Sequence, residues 1–255
     1  MWADWLRNYI PRELTQHATS FEKVHPRRTA QTVQTRTGDP HTRRIKCVCR
    51  PCNNEWMSRL QEDTKPFLVP MLEGNTITLR RTGQTTVATW IAMMTMVAEH
   101  LHDEMVAIPA TDRQWLRAKL RPPSHWRIWI GRHAAVTHPL FSHNIVSFAP
   151  EKEIERLGLE ASLPANTQTT TILLGKHLLT YVMSSAVARS IIRRWVIPMP
   201  VRASLVQIWP VASRAITWPP AEAVADPGMH ALAEHFFRAS NTLAHERILA
   251  LRFDR

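Results

Sequence analysis

All three cysteines of this chain fall within Cys47-Val48-Cys49-Arg50-Pro51-Cys52, and the residues that follow, Asn53-Asn54-Glu55-Trp56-Met57-Ser58, read as the first turn of a helix. Three cysteines so clustered cannot form a disulfide framework, and in a reducing compartment such a cluster points to metal or to no special role. Cys49 and Cys52 have the C-x2-C spacing of a zinc knuckle, whose tight turn aims two thiolates at one ion. Zn²⁺ asks for four such ligands in a tetrahedron. A knuckle that runs directly into a helix is half of a treble-clef zinc site, and a second C-x2-C is not in the chain. Lys46 and Arg50 flank the pair and favour the thiolate. Asn53 reads as the N-cap of the helix. Cys47, two residues before the pair in what reads as a strand, is taken as a packing thiol.

The chain has 255 residues, of which 44% are hydrophobic, enough for a real core in one large or two small domains. Its net charge of +11 favours a polyanionic partner, nucleic acid first and an anionic membrane surface second. The excess is concentrated: residues 1–50 carry ten Lys/Arg against four Asp/Glu. Arg43, Arg44, Lys46 and Arg50 are the candidate phosphate contacts there, with a plain solvated strand face as the alternative. The acids of 55–63, 99–104 and 151–160 read as solvated helix faces. The most apolar stretch, Val87 to Ala98, is shorter than the ~20 residues a membrane span needs. No basic segment followed by an apolar run marks a signal peptide, so the expected location is the cytoplasm.

Along the chain, residues 2–9 predict a helix that ends at Pro11. The Thr-, Arg- and Gln-rich segment from Arg27 to Lys46 predicts a basic hairpin with its turn at Thr37-Gly38-Asp39-Pro40. A helix from about Asn53 is expected to be broken up by Pro66 and Pro70 and closed by Gly74. A strand at 76–79 follows. Val87, Trp90, Ile91, Met94, Val97, Leu101 and Met105 then form one stripe at helical spacing over 84–106, a core face. His100 and His102 near its end read as exposed. A short helix at 111–120 is capped by Thr111, and Pro122-Pro123 marks a boundary. Beyond it the period changes to two, with strands expected at 126–130, 143–148, 169–174, 179–187, 204–209 and 215–218. A helix closes the chain at 229–252. The fold class is α+β: a knuckle module over 1–75 and an antiparallel-sheet region over 76–255.

The run Val48-Cys49-Arg50-Pro51-Cys52-Asn53-Asn54-Glu55-Trp56-Met57-Ser58-Arg59-Leu60 resembles the second knuckle and helix of HNH-type endonucleases, in a bacterial and phage group that reads C-x2-C-N-x-x-W-M-S-x-L. The similarity continues loosely through Lys65-Pro66, the Trp90 helix, Pro122 to Gly131 and the two Trp-Pro pairs at 209–210 and 218–219. It implies a ββα-metal hairpin and helix laid on a treble clef with structural zinc, of which Cys49 and Cys52 are two ligands. It also implies hydrolysis of DNA by a His general base and a divalent metal such as Mg²⁺, with Asn53 as a metal-side ligand. In the resembling proteins a first C-x2-C and a Glu-His precede an aromatic segment ending in Trp-Leu. Met1-Trp2-Ala3-Asp4-Trp5-Leu6 looks like that segment, so the general base and first cysteine pair are expected to lie before Met1.

Two functions follow as expectations. One is a metal-dependent DNA endonuclease of HNH type, present in an N-terminally short form. The other is a non-catalytic nucleic-acid-binding protein that keeps the knuckle and the basic surface. They differ in one group, a His placed to activate water. His17, His25 and His41 lie in the intervening segment, and none follows an acid in the Glu-His manner.

Overall fold

The computed structural model describes residues 4–9, 16–25, 28–37, 45–101, 105–135, 141–150, 165–187, 192, 197–211, 214–232 and 248–251. A 3-10 turn at Asp4–Asn8 comes first. The strands β1 (Gln16–His25) and β2 (Arg28–Thr37) pair antiparallel with His25 opposite Arg28. Arg28–Thr37 thus pairs with the strand before it, and the expected turn at Thr37-Gly38-Asp39-Pro40 lies, beyond Thr37, outside the described residues.

The knuckle helix starts earlier than the expected Asn53. Its first turn, α1 (Arg50–Cys52), has Cys49 as the extended residue before it and Pro51 inside it, where a missing N–H has no partner to lose. A wider π-turn, Asn53–Met57, leads into α2 (Ser58–Leu72). Asn53 is thus helical, at φ −63° and ψ −44°, and does not cap.

Pro66 and Pro70 lie inside α2 without interrupting it. Each deprives one carbonyl four residues back of its donor. Those carbonyls belong to Glu62 and Pro66, which are exposed, so water can replace the lost bonds. The opposite face buries Leu60, Leu68, Met71 and Leu72 and holds the helix together. Gly74, at φ +79°, ends it as expected.

The strand β3 (Ile77–Leu79) and the long apolar helix α3 (Arg81–Ala98) follow, the latter passing into a 3-10 turn at Glu99–Leu101. In α4 (Ala110–Lys119) the residue before the first turn is Pro109; Thr111 sits within the helix and is not its cap. Proline's fixed φ suits the entry position, and Leu120 closes the helix at φ +47°.

The predicted strands are found as β4 (Arg127–His133), β5 (Phe141–Pro150), β6 (Thr167–Leu174), β7 (Leu178–Ser185), β8 (Leu205–Trp209) and β9 (Ile216–Trp218). A four-residue helix, α5 (Met199–Arg202), precedes β8, and β10 (Ala223–Val224) follows β9. The expected closing helix is helical over 226–232, but β11 (Ile248–Leu251) is a strand on β5. Ile-Leu-Ala-Leu is too short and too uniformly apolar for periodicity to decide its state, and β5 offers it a ladder.

The main sheet runs β10-β4-β7-β6-β5-β11, with β8 also on β4; only the β10–β4 pair is parallel. A separate pair joins β3 to β9. The protein is therefore α+β. Every residue of β6 and β7 is buried, because both faces of the sheet are covered. Ile128, Ile130, Ile172, Leu174 and Val182 join a core with α2 and α3, whereas Trp129, Leu173, Leu179 and Tyr181 join a second core with Ile197, Val201 and Met229. The alternation is the period-two signal of a strand seen from both sides. The Trp-Pro bonds at 209–210 and 218–219 are both cis.

Candidate functional site

The Cys47–Cys52 turn stands at the start of a 23-residue helical run, 50–72, whose other end is tied to the core. Cys49 is exposed; Cys47 and Cys52 are half-buried, and all three are free thiols. The helix carbonyl ladder begins here, with Asn53 N–H donating to Cys49 O at 3.0 Å. Cys49 Sγ closes no regular side-chain cap. The Cys52 N–H and thiol nevertheless lie close enough to stabilise its thiolate, and together they pull the Cys49 thiol below its usual value, with the Arg117 guanidinium helping. Burial pushes the Cys47 thiol the other way.

The three cysteines share one cavity of about 270 Å³. Its inner wall is thioether and aliphatic: Met57 from the π-turn, Met93, Met96 and Val97 from α3, and Leu116 from α4. His100, expected to be exposed, is half-buried and lines the same cavity; His102 lies outside the described residues. Arg113 and Arg117 come in from α4. Neither appears in the sequence reading, since nothing local links α4 to the knuckle across more than 60 positions.

Glu99 corrects the expectation of a solvated acidic face. It is 1% exposed, accepts the N–H groups of Ala107 and Ile108 at 2.9 and 3.0 Å, and pairs with Arg113. Burial raises its pKa, and the donors around it oppose that rise. The ion pair fixes α4 against the end of α3 and so sets one wall of the cavity. Asp112 is likewise buried, accepting from Trp126 Nε1 at 2.7 Å and lying 3.1 Å from His125 Nε2.

Of the other predicted site residues, Lys46 and Arg50 are exposed beside the thiols, and Arg43 and Arg44 lie outside the described residues. Asn53 is exposed on the π-turn, its amide Nδ2 donating to Asn54 Oδ1 at 3.1 Å. Such turns insert one extra residue and frequently accompany functional sites. Among the described residues no three His, Cys, Asp or Glu side chains are placed to hold a metal ion. Cys49 and Cys52 would be two of the four ligands that a structural zinc needs, and the described residues do not complete the tetrahedron. No described helix is long and apolar enough to cross a membrane.

Compared with protein-family models, curated proteins and solved structures, the chain matches none.

Proposed function

We propose that the chain binds duplex DNA through the basic rim of the Cys47–Cys52 turn. The observation that supports this is the run of exposed cations at the turn, Lys46 and Arg50 next to the cysteines in the chain and Arg117 lining the cavity that the cysteines share, with Glu55 the exposed acid nearest in sequence to the pair. The overall charge of +11 adds a long-range attraction for a polyanion. Three cations of this kind contact phosphates without reading bases, so the binding is weak, salt-dependent and indifferent to sequence.

Fluorescence anisotropy with a labelled duplex across a salt series tests the proposal. Affinity is expected in the micromolar range, falling linearly on a log–log plot against salt by about 0.9 per phosphate contacted. The triple variant Lys46→Ala, Arg50→Ala, Arg117→Ala should flatten that slope by roughly 2–3. An unchanged slope would remove the rim from the interface.

A second reading is HNH-type hydrolysis at the same place, favoured by the exposed Asn53 directly after Cys52. Structural zinc on Cys49 and Cys52, completed by ligands from outside the described residues, and Mg²⁺ at Asn53 belong to this reading. Plasmid nicking with Mg²⁺ separates the two. Equal traces for the purified chain and Asn53→Ala are expected of a binder. Nicking that is lost in Asn53→Ala assigns the nuclease.

A further inference from the structure

We infer that Cys49 and Cys52 are a redox-active dithiol that exchanges with disulfides whose substituents are apolar and enter the neighbouring cavity. Cys49 and Cys52 stand three residues apart at the start of α1 and line one cavity.

Their surroundings suit thiol–disulfide exchange. Cys49 is exposed and can be reached by a partner sulfur; Cys52 is half-buried and lines the same cavity. Exchange needs that asymmetry, an accessible attacking sulfur and a sheltered one that resolves the intermediate. Residues three apart at a helix start have Cβ atoms about 5–6 Å apart, and a disulfide wants about 3.5–4.5 Å. Cys49 lies just outside the helical turn, at ψ 152°, so its own backbone torsions can take up the difference.

The cavity supplies what a bare C-x2-C lacks, a place for the partner. Met57, Met93, Met96 and Leu116 form an apolar wall behind the two sulfurs, and thioethers accommodate aromatic and aliphatic groups of varied shape. Arg117 stands at the same cavity, where a negative charge builds on a departing thiolate.

Cys49 thiolate attacks one sulfur of R–S–S–R, forming Cys49–S–S–R and expelling RS⁻. Cys52 loses its proton to that thiolate and attacks Cys49 Sγ, expelling the second RS⁻, which takes up the proton Cys49 had released to solvent. The protein dithiol is oxidised by two electrons to a disulfide, and R–S–S–R is reduced to two R–SH. A dithiol reductant reverses the reaction.

The probe is 4,4′-dithiodipyridine, a neutral aromatic disulfide, added to the full chain after reduction and desalting. The chain should release two equivalents of thiopyridone in a fast phase, at least about tenfold faster than the reaction of Cys47, and peptide mapping should find Cys49 joined to Cys52. Cys47→Ser should keep that fast phase. Cys52→Ser should release one equivalent and carry one thiopyridine on Cys49. Cys49→Ser should lose the fast phase. Mixed disulfides on all three cysteines with no internal bond would overturn the inference. So would one equivalent of zinc in the isolated protein that blocks the fast phase until a chelator is added. That second outcome would support the zinc site instead and leave DNA binding untouched.

Discussion

Trp90 donates its indole N–H to Gln61 Oε1 at 2.7 Å. The same oxygen takes the Trp5 N–H at 3.1 Å, so one amide fastens the Asp4–Asn8 turn and α3 to the knuckle helix. Gln61→Met keeps the volume and removes the acceptor, leaving two indole donors unpaired. Each unpaired buried donor costs about 1–3 kcal/mol. A fall in Tm of roughly 5–10 °C is expected for a domain of this size. Gln61→Glu, which keeps an acceptor, should fall less. Thermal unfolding of the two variants side by side checks the order.

Glu99 holds two backbone amides and one guanidinium, so its loss leaves three donors without a partner. Glu99→Ala should destabilise by about 3 kcal/mol, near the lower end for breaking a buried pair because Arg113 keeps some access to water. Glu99→Gln retains an acceptor for the amides and should lose about half as much. Urea midpoints at constant m-value measure both.

At Gly131 a Cβ would stand 2.7 Å from Leu205 Cδ2 and 2.7 Å from the Ser204 carbonyl oxygen. The leucine tip can turn away; the carbonyl belongs to the backbone beside β8 and cannot. Gly131→Ala should therefore destabilise by about 1–3 kcal/mol through overpacking, although alanine is ordinarily the better strand residue. Equilibrium unfolding showing a gain in stability would mean that β8 yields.

His143 donates Nε2–H to the Met105 carbonyl at 2.9 Å and has Nδ1 2.7 Å from Thr170 Oγ1. Burial lowers its pKa to about 4 from an ordinary 6.5. The unfolded chain therefore binds a proton at higher pH than the folded one. The contribution is intact above pH 6.5 and drains away as pH falls toward 4, by about 3 kcal/mol in all. The difference in unfolding free energy between the wild type and His143→Gln should be constant above pH 6.5 and shift against the wild type as pH falls from 6.5 to 4. Parallel curves would place His143 in a wetter site.

The parts of the fold legible in the sequence are those with a clean period. Val87, Trp90, Ile91 and Met94 repeat as a helix and bury as one, and the strands from β4 to β9 sit within a few residues of their predicted limits. Local rules that compete are read less well. Asn53 is the stronger capping residue by chemistry, yet Pro51 needs a first-turn position and draws the helix start back to Arg50. Of the site, the cysteine pair and its exposed Lys46 and Arg50 are visible in the sequence. The cavity is not, because Met93, Met96, Arg113 and Arg117 reach it only through the packing of α3 and α4, and their own helices give no reason to single them out.

The 3-10 turn and the knuckle helix together set out two fixed posts. Tyr9 Oη bonds Glu73 Oε1 at 3.1 Å at the far end of α2, and the chain resumes at Ile45 beside the near end. A helical run from 50 to 72 is about 35 Å long. In sequence between these posts lie β1 and β2, which among the described residues pair only with each other. An extended spacer covers about 3.3–3.6 Å per residue, so roughly a dozen residues could bridge the same gap. The self-paired strands are in this sense an exchangeable cassette, and another segment of that span could be grafted between the same two posts.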